Sequence, residues 1–195
     1  SNSGALIGDG GPVENAFFEG AEKLAIDTAG NIYVADQWNY RVRKISTDGT
    51  VSTIAGTGVP GYSGDGGRAA DAELDYPASV TVDGSGNVYF WDRFNGRIRK
   101  VTPAGGISTF AGGGTGGYQP DKQTGIPAVG AVLLASRGLT TDASGSLYIA
   151  DGMRLRKVTA DGTIRDVPGF TANSMDIQAV AVDAAGNIYA TGGTG

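Results

Sequence analysis

Short apolar runs alternate with glycine-rich polar turns along the whole chain. Leu24-Ala25-Ile26, Ile32-Tyr33-Val34 and Val51-Ser52-Thr53-Ile54 are early examples. Such runs are short for helices and rich in β-branched and aromatic residues, so they predict strands. One turn recurs four times: Asp27-Thr28-Ala29-Gly30-Asn31-Ile32-Tyr33, Asp83-Gly84-Ser85-Gly86-Asn87-Val88-Tyr89, Asp142-Ala143-Ser144-Gly145-Ser146-Leu147-Tyr148 and Asp183-Ala184-Ala185-Gly186-Asn187-Ile188-Tyr189. In each copy the Asp (Asp27, Asp83, Asp142, Asp183) opens the turn. The glycine (Gly30, Gly86, Gly145, Gly186) can take positive φ, which predicts a tight hairpin. Two stretches depart from the strand pattern. Ala69–Leu74 and Ala128–Leu133 share an Ala-x-x-Ala-x-Leu spacing, which predicts one helical turn in each.

A second Asp follows nine residues after the first, at Asp36, Asp92 and Asp151. A basic strand comes next: Arg41-Val42-Arg43-Lys44-Ile45, Arg97-Ile98-Arg99-Lys100-Val101 and Arg154-Leu155-Arg156-Lys157-Val158. A polar turn then leads to a fourth strand at Val51, Ile107 and Ile164. One four-stranded meander cannot bury both its faces alone; stacking the units radially buries them. The expected fold is therefore an all-β propeller segment of three complete four-stranded blades and part of a fourth. It reads as an open arc or as a fragment of a ring of roughly six blades.

The blades fall at about 19–56, 75–112 and 134–168, with an incomplete unit at 175–195. Residues 1–18 read as the end of a preceding blade, with Ala5-Leu6-Ile7 as its outer strand, and a connector. Gly8-Asp9-Gly10-Gly11 matches Gly64-Asp65-Gly66-Gly67, and Asp9 precedes Asp27 by the eighteen positions that separate Asp65 from Asp83. The hairpin before the basic strand is shorter in the third unit. In the fourth, Gly192 replaces the second Asp and no basic strand follows.

The Asp-x-x-Gly-Asn-Ile/Val-Tyr turn and the Arg-Val/Ile-Arg-Lys-Val/Ile strand resemble the NHL repeat family. The connector Gly61-Tyr62-Ser63-Gly64-Asp65-Gly66-Gly67 resembles its bacterial form. The resemblance implies a propeller whose usual role is binding and which is only sometimes an enzyme. Related propeller hydrolases use a central calcium held by Glu, Asn and Asp. Glutamate here is confined to Glu14, Glu19, Glu22 and Glu73, none of them expected on a strand directed at the centre. Related amidating lyases hold their metal with His, which this chain lacks.

Composition narrows the chemistry further. The 195 residues contain no Cys and no His, which removes thiolate chemistry, Ser-His-Asp triads and His-ligated zinc. No catalytic constellation, metal site or cofactor is expected. The formal net charge of −5 lacks the basic footprint of a nucleic-acid binder. The Arg-x-Arg-Lys strands are better explained by pairing with the neighbouring Asp36, Asp92 and Asp151 than by an RNA-binding stripe. No apolar stretch is long enough for a transmembrane helix, so membrane insertion is not expected. Asp9 and Asp65 read as turn residues whose side chains hold backbone amides, since one carboxylate per loop is few for calcium. The runs Gly112-Gly113-Gly114 and Gly116-Gly117 lack the lysine and the following helix of a phosphate loop.

In this strand order the connectors and the hairpins between second and third strands share one face. That face carries Trp38, Tyr40, Tyr62, Phe94 and Tyr118. Exposed loop aromatics around a central depression suit a ligand or partner; the alternative is that they pin the connectors to their own blades. The expected function is a non-catalytic binding scaffold of a bacterial secreted or cell-surface protein. Two alternatives stand beside it. One is part of a lyase or hydrolase whose catalytic residues lie outside this segment. The other is a structural subunit assembling edge to edge. The expected partner at the open edge is further blades of the same polypeptide or a second copy.

Overall fold

The four recurring turns close four hairpins, and each hairpin begins a sheet. The computed structural model describes residues 8–115, 125–171 and 176–193; the Ala5–Ile7 strand and the Tyr118 loop lie outside them. The first sheet runs β1 (Ala21–Ile26), β2 (Ile32–Asp36), β3 (Arg41–Ile45), β4 (Val51–Ala55) in meander order. The second repeats it with β5 (Pro77–Val82), β6 (Val88–Asp92), β7 (Arg97–Val101) and β8 (Ile107–Gly112). In the third, β9 (Ile126–Pro127) pairs outside β13 (Thr163–Thr171), beyond β10 (Ser136–Thr141), β11 (Leu147–Asp151) and β12 (Arg154–Val158). The fourth contains β14 (Asp176–Val182) and β15 (Ile188–Gly193). All strand pairs are antiparallel. This is a partial β-propeller.

Each turn is built the same way. The Asp83 Oδ1 accepts the amides of Ser85 and Asn87, both at 2.9 Å, while Oδ2 accepts the Asn87 amide side chain at 2.8 Å and the Tyr89 hydroxyl at 3.1 Å. Asp27 and Asp183 repeat this set with Tyr33 and Tyr189. Burial and the bond to Asp27 push the Tyr33 hydroxyl up to about 12. The four glycines have φ of 90°, 78°, 78° and 85°. Gly86→Val places a β-branched residue in the left-handed region and should cost about 2 kcal/mol in urea unfolding; a cost within error of zero would mean that the turn does not depend on this angle.

The third turn has Ser146 in place of Asn, and Lys157 compensates. Its Nζ reaches Asp142 Oδ2 at 3.1 Å and the Tyr148 hydroxyl at 2.8 Å. Burial alone would raise the Asp142 carboxyl, but bonds from Ser144 and Lys157 hold it down at about 2. A depressed carboxylate stabilises the fold above its unfolded value, near 4, and loses that contribution as pH falls towards 2. Asp142→Asn should therefore remove about 1–2 kcal/mol of the stability lost between pH 4 and pH 2. Acid unfolding curves of the two proteins check this; identical slopes in that window would refute it.

Apolar residues fill the spaces between sheets. Ala35, Val42 and Ala55 of the first meet Val80, Val88 and Phe90 of the second. Trp91, Ile98 and Ala111 meet Leu139, Leu147 and Ile149, and Tyr148, Ala150 and Leu155 meet Ile177. Each sheet is therefore the lid of its neighbour, as the radial arrangement requires.

The connectors belong to the blade that follows them. The Gly66 amide bonds the Ile107 carbonyl, and Ile107 and Ala69 return bonds to Gly67 and Gly105. Arg68 bridges Gly106, and Pro12 bridges Thr50 in the same manner. Pairing β9 with β13 is the third instance. Residues 8–16 thus cover the outer edge of the first blade, where an unpaired strand would otherwise lie.

Two expectations need correction. Ala69–Asp71 does form a 3-10 turn, and Val13–Asn15 forms another at the matching place. Ala128–Leu133 forms none. The Ala131 amide still bonds the Ala128 carbonyl, but Gly130 takes φ 90°, so the chain leaves helical geometry where Asp71 keeps it. The second correction concerns Asp9 and Asp65, whose carboxylates bind Arg43 and Arg99 at 2.7 and 2.9 Å rather than backbone amides.

Candidate functional site

The innermost strands of all four units break register at the same point. Shifts fall between Ala21 and Leu24, Pro77 and Val80, Ser136 and Gly138, and Ile177 and Ala179. A bulge re-aims side chains where a regular strand would alternate them. Here Glu22, Lys23, Ala78, Ser79, Arg137 and Gln178 line a cleft of about 430 Å³. Ser79 and Ser136 are buried, and the Ser79 hydroxyl donates to the Ser136 carbonyl at 2.8 Å. Glu22, Lys23, Arg137 and Gln178 are exposed.

The hairpins between second and third strands form the rim and contribute Gln37, Arg93 and Phe94. They are tied to the connectors by backbone bonds: Trp38 to Glu19, Arg93 to Tyr76 and Phe94 to Asp75. The hairpins and connectors therefore share a face, and the cleft opens there. Trp38 meets Tyr76 edge-on with centroids 4.8 Å apart, and Tyr76 meets Phe94 at 5.3 Å. The Arg93 guanidinium lies 5.3 Å from the Tyr76 centroid and 5.5 Å from that of Phe94. Trp38 and Phe94 remain 53% and 66% exposed. Tyr76 has φ 59°, an uncommon angle for an aromatic residue, and it joins the two blades' rings into one continuous patch.

Of the other aromatics, Tyr62 has a different place. Its ring sits under Arg97 at 4.1 Å and Arg99 at 5.0 Å, and its hydroxyl bonds Asp65 at 3.0 Å. It holds the connector against its blade. Tyr40 closes the Gln37–Tyr40 turn at φ 51° and does not line the cleft. Tyr76, Arg93, Arg137 and Lys23 were not foreseen as site residues. The bulges bring Lys23 and Arg137 to the cleft, and a one-residue register shift has no clear mark in an apolar pattern; Arg93 comes from the hairpin, and Tyr76 borders the cleft from the connector.

The basic strands run beneath this face. Arg43, Arg99 and Arg156 are essentially buried and pair with the buried Asp36, Asp92 and Asp151 at 3.3, 3.2 and 3.4 Å. Each Asp also accepts a backbone amide from the segment entering its blade: Glu19, Asp75, or Leu134 with Ala135. The basic residues are therefore internal clamps. Among the described residues, no three Asp or Glu side chains gather as metal ligands would.

No family model matches the chain. It is 31% identical to teneurin-1 of Gallus gallus over 163 residues, covering 75% of the chain and 6% of that protein. It is 34% identical to human teneurin-4 over 100 residues, covering 45% of the chain and 4% of that protein. The chain thus spans a small part of these relatives' length. Among solved structures, virginiamycin B lyase from Staphylococcus aureus superposes with a TM-score of 0.57 at 18% identity, over 88% of this chain and 48% of that one. A nidogen/laminin complex gives 0.59 at 20% identity, over 84% and 52%. These likenesses are of fold, and the folds matched include both an enzyme and a complex between proteins.

Proposed function

We propose that this chain, a run of NHL-type β-propeller repeats, is a non-catalytic binding scaffold whose ligand sits in the cleft on the connector face. Its setting is a bacterial secreted or cell-surface protein. The observation that carries this reading is the common bulge of four inner strands, which gathers polar side chains from every unit under an exposed aromatic rim. Concave sites with a few convergent polar groups are where propellers and other scaffolds hold ligands. Among the described residues the cleft supplies one carboxylate side chain, Glu22, which is exposed beside Lys23 on the same strand, and no second carboxylate to work with it. That favours binding over general acid–base catalysis, which needs a positioned proton donor or acceptor at the reacting atoms.

Thermal-shift screening against a panel of oligosaccharides, peptides and nucleotides tests the reading. At least one class should raise the melting temperature of the wild type and fail to do so for Gln178→Trp, an exposed substitution that blocks the cleft. Turnover of the bound compound, or binding indifferent to the block, would overturn it.

A second reading rests on the end blade. Leu24 and Ile26 are 61% and 59% exposed, while Val80 and Leu139, at the same place as Leu24 in the next two blades, are 5% and 9% exposed. Further blades of the same polypeptide are the natural cover for this face, because the matched structures are about twice the length this chain covers. A second copy would serve the same purpose. Sedimentation of the chain at rising concentration separates the two; a monomer throughout would argue against the second copy and leave further blades of the same polypeptide as the cover.

A further inference from the structure

From the charge and shape of the cleft we infer that its ligand is an acidic oligosaccharide, a deduction that rests on the cleft being the binding site. The chain carries a net charge of −5, yet the cleft gathers Lys23, Arg93 and Arg137 against the single carboxylate of Glu22. Elsewhere the arginines are engaged by the fold: Arg43, Arg99, Arg154 and Arg156 each pair with Asp, and Arg41 and Arg97 bond backbone carbonyls. Among the described residues, Lys23 and Arg93 have no carboxylate at salt-bridge distance. Arg137 meets Asp176 only at 3.7 Å, with side chains 51% and 38% exposed, a water-screened pair that costs little to exchange. An acidic protein that concentrates three cations, two without a carboxylate partner and one only loosely paired, in one concave place favours an anion there.

The rest of the lining says what kind of anion. Gln178 offers an exposed amide, and Gln37, Ser79 and Ser136 form a polar floor beneath it, a lining suited to a ligand rich in hydroxyl groups. Phe94 and Trp38 present exposed ring surface beside them, suited to the C–H face of a sugar ring. Arg93 lies against the Tyr76 and Phe94 rings, which orients its planar fork towards a carboxylate or sulfate while the sugar rests on the aromatic patch. The patch runs from the second blade to the first, past the edge of the cleft, so the ligand is a chain of sugars rather than one.

The test uses the full chain with oligogalacturonate and chondroitin sulfate oligomers, their neutral counterparts, and poly-glutamate peptides, by titration calorimetry. At least one acidic oligosaccharide should bind, and its neutral counterpart at least tenfold more weakly. Arg93→Ala and Phe94→Ala should each lower affinity by about tenfold with unchanged melting temperatures, since both side chains are exposed. Raising the salt concentration should weaken binding of the wild type and have less effect on Arg93→Ala. Equal binding of neutral and acidic sugars overturns the inference, as does binding of poly-glutamate alone, which would point to an acidic protein partner. If only other compounds of the screening panel bind and Gln178→Trp still blocks them, the cleft reading stands and the ligand class falls. If Gln178→Trp blocks nothing, both fall.

Discussion

Replacing Arg99 with Met should cost about 3–5 kcal/mol. The Arg99 side chain is fully buried, as is that of its partner Asp92 at 3.2 Å. Its second guanidinium nitrogen bonds the Ser63 carbonyl and Asp65, both at 2.9 Å. One residue thus joins the third strand, the hairpin Asp and the incoming connector. Methionine fills much of the volume but leaves the Asp92 carboxylate buried beside the Asp75 amide with no cation. Burial already pushes the Asp92 carboxyl up, against the opposing pull of Asp75, Asn95 and Arg99. Without Arg99 it rises further, and the protonated form is then the cheaper one to bury. The deficit relative to the wild type should therefore narrow as pH falls towards the carboxylate range. Asp65→Asn should cost only about 1 kcal/mol, because that side chain is 37% exposed and water can replace its part. Urea unfolding of both variants at two pH values checks the order; a mild Arg99→Met would mean that the clamp adds no net stability.

The architecture was legible because it is repeated. The Asp-x-x-Gly turns, the alternating apolar positions and the basic strands each occur in register several times, and a feature seen three times outweighs local ambiguity. The Asp–Arg pairing was legible in outline for the same reason. What escaped was set by backbone detail. The helical turn expected at Ala128–Leu133 fails on one glycine at φ 90°. The connector's attachment to the following blade combines the Asp65–Arg99 pair with backbone bonds from Gly66, Gly67 and Ala69, and the backbone part has no mark in the sequence. The candidate site was half legible. Exposed aromatics in hairpins lie on the face where the cleft opens, but Tyr62 is a fastening and the cleft itself arises from bulges. Glycine at 112 shows how closely backbone is packed nearby: a β-carbon there would lie 2.4 Å from the Gly96 carbonyl oxygen. In the sequence that glycine reads only as loop.

Placing the same substitution at two matching positions should give opposite results. Leu24 and Val80 both precede the β1–β2 type of hairpin by the same distance, pairing with Val34 and Phe90 respectively. Val80 is 5% exposed among Ala35, Val42 and Phe90, whereas Leu24 is 61% exposed. Val80→Asp sets a carboxylate in the apolar space between two blades with no counter-charge. It should cost at least about 4 kcal/mol and unfold the chain near physiological temperature. Leu24→Asp in the dilute chain should change stability by no more than about 0.5 kcal/mol. Concentration then separates a bare face from a covered one. If a second copy covers Leu24, wild-type stability rises with protein concentration by mass action. Leu24→Asp should abolish that rise while leaving the dilute-limit value alone. Unfolding curves over a hundredfold range of concentration measure both quantities. Equal losses at the two positions in dilute solution would mean that the first blade's face is buried in the single chain, contrary to the arrangement described here.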